Sequence, residues 1–277
     1  MNGWLKRINF LFLSVLKAQN EKEMHIMLGR VNSIETLACD DGWDIRFAVF
    51  LQGCGAKCIY CANVLTWDFN GGELMDSNDI IEQMVQLKDF YKQGKGGITI
   101  SGGEPLYQLE FATDLARKTK LQGLTVALDT SGLINLDIKE NYDKVRKLLR
   151  YVDLVLLDVK SGTDELHQRL CSFKMERTRR FAQLCNELNI PVWVRHVVMK
   201  GYNAETDYDL KEIIKFIKTL DNVVEVDLLP FHNMSEPLWE QCNINYTMSD
   251  DNVPDDEDMQ RKYELVQQEL PNVKVTR

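Results

Sequence analysis

Cys54, Cys58 and Cys61 lie in the run Gly53-Cys54-Gly55-Ala56-Lys57-Cys58-Ile59-Tyr60-Cys61, directly after a strand-like stretch. Three thiolates at this spacing can hold three corners of an iron–sulfur cube and leave its fourth iron without a protein ligand. An open iron can bind a substrate, whereas a cluster closed by four cysteines only carries electrons. Two other uses of clustered cysteines fit less well. A structural zinc site takes four ligands, and no second Cys/His pair follows at zinc-finger distance. A bacterial ferredoxin would show C-x2-C-x2-C-x3-C, whereas the spacing here is C-x3-C-x2-C.

Further residues of chemical interest recur along the chain. In Ser101-Gly102-Gly103-Glu104-Pro105 two glycines let the backbone approach a ligand closely, and Pro105 suits the first turn of a helix. A plain strand-to-helix turn would use the same residues. Asp158 and Lys160 stand two apart on one strand and share a face, either toward a ligand or as an ion pair at the strand end. His232 follows Leu228-Leu229-Pro230-Phe231, and Asp129-Thr130 ends another strand. Arg195 and His196 are adjacent within a strand and face opposite ways, Arg195 being the one expected to point inward. His25 and His167 read as surface residues. Cys39, Cys171, Cys185 and Cys242 are scattered singly and read as buried or inert thiols.

The elements that must position these residues alternate regularly. Strands are predicted at Ile45–Gln52, Gly97–Ser101, Thr125–Asp129, Leu154–Lys160, Val192–Met199 and Val223–Pro230, nearly continuous in Val, Ile and Leu as in covered parallel strands. Helices are predicted at Ser77–Lys92, Leu106–Leu121, Ile138–Tyr151, Glu176–Leu188 and Glu205–Leu220. A last helix runs from about Glu257 to Leu270, followed by an edge strand, Val273–Thr276. Six βα units with short loops imply right-handed crossovers and a curved parallel sheet. Eight units would close a barrel, so the expectation is an α/β fold with an open, partial (β/α)6 TIM-like barrel. Chemistry gathers at the C-terminal strand ends of such folds. Cys54, Gly102-Gly103-Glu104, Asp129-Thr130, Asp158 with Lys160, Arg195 with His196, and His232 all fall there.

A chain of 277 residues can bury one large core as a single domain. The net charge of −9 argues against a nucleic-acid binder. Much of the acidity sits in Asp250, Asp251, Asp255, Asp256, Glu257 and Asp258, read as a solvated loop leading into a helix N-terminus, where carboxylates suit the dipole, the alternative being a docking surface for a partner. Seven cysteines in a chain this long do not make a secreted disulfide scaffold. The clustered three need a reducing compartment, so the expected location is the cytoplasm. Lys6 and Arg7 precede an apolar run, Ile8 to Leu16, that is too short to span a bilayer and lacks a cleavage pattern. Residues 1–27 therefore read as an extension outside the fold, from an upstream start codon, with the domain at 28–277. No membrane association is expected.

With Tyr60 before the third cysteine, the C-x3-C-x2-C run resembles the radical S-adenosylmethionine (SAM) superfamily. The resemblance implies that Cys54, Cys58 and Cys61 hold a 4Fe–4S cluster whose fourth iron takes the SAM amino and carboxylate groups. One electron then cleaves the sulfonium C–S bond, giving methionine and a 5′-deoxyadenosyl radical. It also implies that Gly102, Gly103 and Glu104 form a glycine-rich edge toward the SAM amino group. Asp158-Val159-Lys160 becomes a SAM-binding segment, with Lys160 counted beside the cysteines as catalytic because it can meet the carboxylate or a partner. His232 becomes a contact near the ribose or adenine, and Tyr60, Ala62 and Arg195 further cofactor contacts. Asp129 and Thr130 would supply oxygens for a monovalent cation beside the SAM carboxylate.

Longer runs resemble one family within it, the pyruvate formate-lyase-activating enzymes. These are Gly29-Arg30-Val31, Ile45-Arg46-Phe47, Thr66-Trp67-Asp68, Leu157-Asp158-Val159-Lys160, Val192-Trp193-Val194-Arg195 and Leu228-Leu229-Pro230-Phe231-His232, spanning residue 28 to the C-terminus. The resemblance implies anaerobic activation of a partner, pyruvate formate-lyase, by abstraction of a glycine hydrogen to leave a glycyl radical. Reduced flavodoxin or ferredoxin would donate the electron to a monomeric enzyme. The absence of cysteines between Cys61 and Ser101 points to the type without a ferredoxin-like insertion. Two departures stand out: Asp41-Gly42-Trp43-Asp44 replaces the family's Asp-Gly-Pro-Gly, which puts that loop and partner docking in question, and Ala62 replaces a histidine. The alternatives are the same chemistry on another glycyl-radical enzyme or a small molecule, and a non-catalytic iron–sulfur protein with a decayed site. Intact Cys54, Cys58, Cys61, Gly103, Asp158 and His232 count against decay.

Overall fold

The computed structural model describes residues 26–277. Residues 1–25 of the N-terminal extension, His25 among them, lie outside the described residues. The strands are β1 (Leu28–Ala38), β2 (Arg46–Leu51), β3 (Glu73–Asp76), β4 (Gly97–Gly102), β5 (Thr125–Thr130), β6 (Leu154–Asp158), β7 (Val192–Val198), β8 (Val223–Pro230) and β9 (Lys274–Thr276). They form one sheet in the order β3-β1-β2-β4-β5-β6-β7-β8-β9. Every pairing from β2 to β9 is parallel. The sheet ends at β3 and β9, which do not meet, so the barrel is open as expected.

The helices are α1 (Ser77–Gln86), α2 (Lys88–Tyr91), α3 (Leu109–Leu121), α4 (Lys139–Leu149), α5 (Asp164–Cys171), α6 (Glu176–Glu187), α7 (Tyr208–Ile217), α8 (Glu236–Gln241) and α9 (Asp256–Glu269). Their starts are set locally. The Asp76 side chain accepts from Asn78 N ahead of α1, Thr163 from Leu166 N ahead of α5, and Asp255 from Asp258 N ahead of α9. Such caps satisfy amide groups the helix itself leaves open. The acidic run at 250–258 thus leads into a helix N-terminus, with Asp256, Glu257 and Asp258 in the first turn of α9.

The main core lies between the sheet and its helices, where Val49, Ile98, Leu128, Val155 and Leu157 are fully buried. Burying each such side chain contributes about 1.5–3 kcal/mol. A second apolar cluster, including Val64, Trp67, Phe231 and Trp239, packs around the cysteine loop. A third, small one lines the barrel floor, where Ala127, Leu154 and Leu156 meet Trp43 and Trp193.

Several expectations are corrected. β1 and β3 form an antiparallel extension beside β2 that was not predicted. β1 buries few of its residues, so it carries no continuous apolar run. The predicted Ser77–Lys92 helix breaks at Leu87 into α1 and α2. α5 and α8 were not predicted, being too short to show a helical period. His167 is not a surface residue: it is fully buried, because α5 turns His167, Leu170 and Cys171 inward together. Among the single cysteines, Cys171 and Cys185 are buried, Cys242 is half-buried and Cys39 is exposed.

Candidate active site

The cysteine loop leaves β2 at Leu51 and is held from below by Gln52. The Gln52 amide donates to Leu65 O at 2.9 Å and Asp68 O at 2.7 Å. Gly53 takes φ +101°, a conformation that favours glycine, and its N–H donates to Thr66 O at 2.7 Å. The next strand end clasps this loop. Gly103 N donates to Leu51 O at 2.8 Å, and Glu104 N to Gly53 O at 3.0 Å. A Cβ on Gly103 would come within 2.4 Å of Gly53 O, and one on Gly102, at φ +118°, within 2.1 Å of Leu51 N. The close approach of the two loops thus requires the glycines.

Cys54, Cys58 and Cys61 line one cavity of about 430 Å³ together with Tyr60 and Ala62. Gly102 and Gly103, Asp158 and Lys160, Arg195, and His232 line its other sides. Eleven residues singled out in the sequence therefore converge on one cavity at the C-terminal end of the sheet. Four do not line it: Glu104, Asp129, Thr130 and Val159 stand behind its wall. Glu104 is buried and accepts from Thr130 Oγ1, from Ser131 N at 3.0 Å and from Leu106 N at 3.2 Å. Burial pushes its carboxyl up to about 7 despite those bonds. Val159 N donates to Arg195 O at 2.9 Å, and its carbonyl meets His196 Nδ1 at 2.9 Å.

Arg195 points inward and His196 toward the helices, as the period-two alternation requires. Arg195 Nε donates to Asp158 Oδ1 at 3.1 Å, and its Nη2 contacts Asp129 Oδ1. Asp158 Oδ2 accepts from Lys160 Nζ at 2.8 Å, and Asp129 Oδ2 from Ser101 Oγ at 2.6 Å. Burial alone would raise the Asp158 carboxyl, but Arg195 and Lys160 outweigh it and hold it well below the usual carboxylate range. Burial likewise opposes the Lys160 charge, and Asp158 overrides it, so Lys160 stays a cation. Its Nζ lies 5.8 Å from the Tyr60 ring centre.

Three residues of the surround carried no role in the sequence reading. Trp239 Nε1 donates to Cys61 O at 2.9 Å and packs edge-on against Trp67 at 5.0 Å between ring centres. Phe231 joins them. Trp67 lies in a run that resembles the activating enzymes; Trp239 sits on a six-residue helix that leaves no periodic signal. The Trp43-Asp44 departure lies before β2, at the end of the sheet opposite the cysteines. Trp43 packs on the barrel floor with Lys95 Nζ 4.6 Å from its ring centre, and Asp44 Oδ2 accepts from Lys95 N at 2.5 Å.

The donor set fits an iron–sulfur cluster. Burial pushes the Cys54 thiol up to about 12 and the Cys61 thiol up to about 11, so thiolates in this pocket need a cationic centre to share their charge. Tyr60 Oη is buried beside them without a hydrogen-bond partner. The glycine edge leaves backbone, rather than side chains, facing the cavity.

An open parallel sheet with three cysteines after its first parallel strand defines a class of enzyme, and comparison with known proteins agrees. The Radical SAM superfamily matches residues 48–217. The pyruvate formate-lyase 1-activating enzyme of Escherichia coli (strain K12) is 35% identical over 243 residues, which is 87% of this chain and 96% of that protein. The pyruvate formate-lyase-activating enzyme of Listeria monocytogenes is 34% identical over 231 residues, 83% of this chain and 93% of its own. A solved domain of the activating enzyme from Bacteroides vulgatus aligns with TM-score 0.52 and 27% identity, covering 65% of this chain and 98% of that one. Streptococcus suis SuiB bound to S-adenosylmethionine shares the fold with TM-score 0.57 at 17% identity, covering 81% of this chain and 48% of that chain. The chain is a radical SAM enzyme, and such enzymes use a 4Fe–4S cluster and SAM. Within that superfamily it belongs to the family of pyruvate formate-lyase-activating enzymes.

Proposed function

We propose that this enzyme activates a pyruvate formate-lyase by converting one of the lyase's glycines into a glycyl radical under anaerobic conditions. The observation that carries the reading is the convergence of Cys54, Cys58 and Cys61 on one cavity that no further cysteine lines among the described residues. Cys54, Cys58 and Cys61 would hold the 4Fe–4S cluster. Gly102 and Gly103 would offer backbone to the SAM amino group, Lys160 would meet its carboxylate, and His232 would contact the ribose or adenine. Tyr60 and Ala62 border the cofactor, and Val159 fixes the Asp158–Lys160 segment through its backbone. When bound, the cluster and SAM supply one-electron chemistry that yields a carbon-centred radical able to take a glycine Cα hydrogen; the protein supplies binding and orientation.

Arg195, paired with Asp129 and Asp158, would set the charge that a bound SAM carboxylate meets. A monovalent cation coordinated by Asp129 and Thr130 would have to share Asp129 with Arg195. Reduced flavodoxin or ferredoxin supplies the electron to a monomeric, cytoplasmic enzyme whose domain is residues 28–277. The family resemblance supports the partner, and among the described residues no helix is long and apolar enough to cross a membrane.

The test is electron paramagnetic resonance. Anaerobic protein with reconstituted cluster, reductant, SAM and its host's pyruvate formate-lyase should give a glycyl-radical doublet on the lyase. Release of 5′-deoxyadenosine without the doublet would keep the chemistry and reject the partner. Cys54→Ala, Cys58→Ala and Cys61→Ala should each reduce 5′-deoxyadenosine release to background; a variant that keeps it would remove that cysteine from the ligand set.

A further inference from the structure

Cys171 has no part in the cavity wall, yet its surroundings differ from those of the other single cysteines. It ends α5, is fully buried, and packs in one cluster with Cys58. The backbone fixes this meeting: Ile59 N donates to Leu170 O at 3.0 Å, so the 58–59 and 170–171 segments run at hydrogen-bonding distance. One turn earlier on α5, His167 places Nδ1 3.2 Å from Cys171 Sγ, and its carbonyl accepts from the same sulfur at 3.2 Å. Cys58 lines the cavity and Cys171 lies behind it. One thiol is reachable from the cavity, and the other stands ready beside it.

We propose that Cys58 and Cys171 form a disulfide when the cluster has been lost and an oxidant is present, making Cys171 a resolving thiol that protects a cluster ligand. The protective meaning rests on Cys58 being a ligand as proposed above; the disulfide itself needs only the two neighbouring sulfurs. A small-molecule disulfide such as oxidised glutathione reaches Cys58 through the cavity. The Cys58 sulfur attacks it, forming a mixed disulfide and expelling one glutathione thiolate. The Cys171 sulfur then attacks the Cys58 sulfur and expels the second. The two cysteine protons go to the two departing thiolates. The cysteine pair loses two electrons and the glutathione disulfide gains them. Without Cys171, Cys58 would remain a mixed disulfide or, under stronger oxidants, pass to sulfinic and sulfonic acids that thiols do not reverse.

The test starts from full-length holoenzyme whose cluster is stripped anaerobically with a chelator. The protein is then treated with oxidised glutathione, alkylated and digested without reductant for mass spectrometry. The expected product is a peptide pair cross-linked through Cys58 and Cys171. In Cys171→Ser, Cys58 should instead carry glutathione. After peroxide treatment and then dithiothreitol, iron and sulfide, the unmodified protein should regain its visible cluster absorption, and Cys171→Ser should regain at least several-fold less. Cross-links from Cys58 to Cys54 or Cys61, or glutathione on Cys58 with Cys171 alkylated, would overturn the proposal. The peptide map needs no catalysis, so it can fail while the radical activity stands, or succeed while that activity is absent.

Discussion

Arg195 shows how a single side chain joins separate strands into a site. It stands directly opposite Asp158 in the β6–β7 register and reaches Asp129 on β5, while Lys160 neutralises Asp158 from its other side. The side chains of Arg195, Asp129 and Lys160 are only 13–14% exposed, so these charges are balanced mainly by one another. Removing one partner of such a buried set leaves an uncompensated charge, at a cost of about 3–5 kcal/mol. Arg195→Met should therefore lower the urea-unfolding free energy by about that much and weaken SAM binding. Loss of less than 1 kcal/mol would mean that water, not Arg195, balances the carboxylates. The inward direction of Arg195 was legible from strand alternation alone. Its partnership with Asp129 was not, because it depends on how three strands are offset. His167 was misread for a related reason: one histidine in a polar run carries no sign of which helix face is buried.

At the scale of elements, the six parallel strands were legible because they are rich in Val, Ile and Leu, most of all β2, β4 and β6, which are almost wholly buried. The β1–β3 extension was not, since an edge pair exposed on one side carries mixed sequence, and short α5 and α8 lack a full period of pattern. What the elements do for the site is most specific at the end of β4. Gly102 there combines φ +118° with a Cβ position 2.1 Å from Leu51 N, so alanine would be strained and would push the cysteine loop away. Gly123, also at positive φ (+72°), has nothing within 4 Å of its Cβ position and serves as the control. Gly123→Ala should cost about 1 kcal/mol and leave reconstituted cluster absorption unchanged. Gly102→Ala should cost more and yield at most a fraction of that absorption. Equal absorption in both variants would show that the β4 turn does not set the cysteine loop.

Across the whole molecule, the open barrel has two differently built ends. The C-terminal end opens into the cavity that gathers the three cysteines, Asp158, Lys160 and Arg195, whereas the N-terminal end is closed by the floor cluster around Trp43 and Trp193 and by Arg46, buried among Thr99, Thr125 and the carbonyls of Lys95 and Ile98. The ends remain electrically linked through Asp41, in the loop that departs from the family's Asp-Gly-Pro-Gly. Burial is the main influence pushing its carboxyl up to about 6. The charges of Asp129, Glu35 and Asp40 add to that, and Arg195 opposes it. In the unfolded chain the same group titrates near 4. Between those values the unfolded state binds fewer protons than the folded one, so this group lowers stability as pH rises from about 4 to about 6, with the full penalty present above. The shift corresponds to on the order of 1–3 kcal/mol. Asp41→Asn should therefore melt several degrees above the unmodified protein at pH 8, with the difference shrinking toward zero at pH 4. Comparing the two proteins at each pH cancels the titrating groups that Asp41 does not touch. A difference that is the same at both pH values would place the effect in packing of the loop rather than in the Asp41 charge.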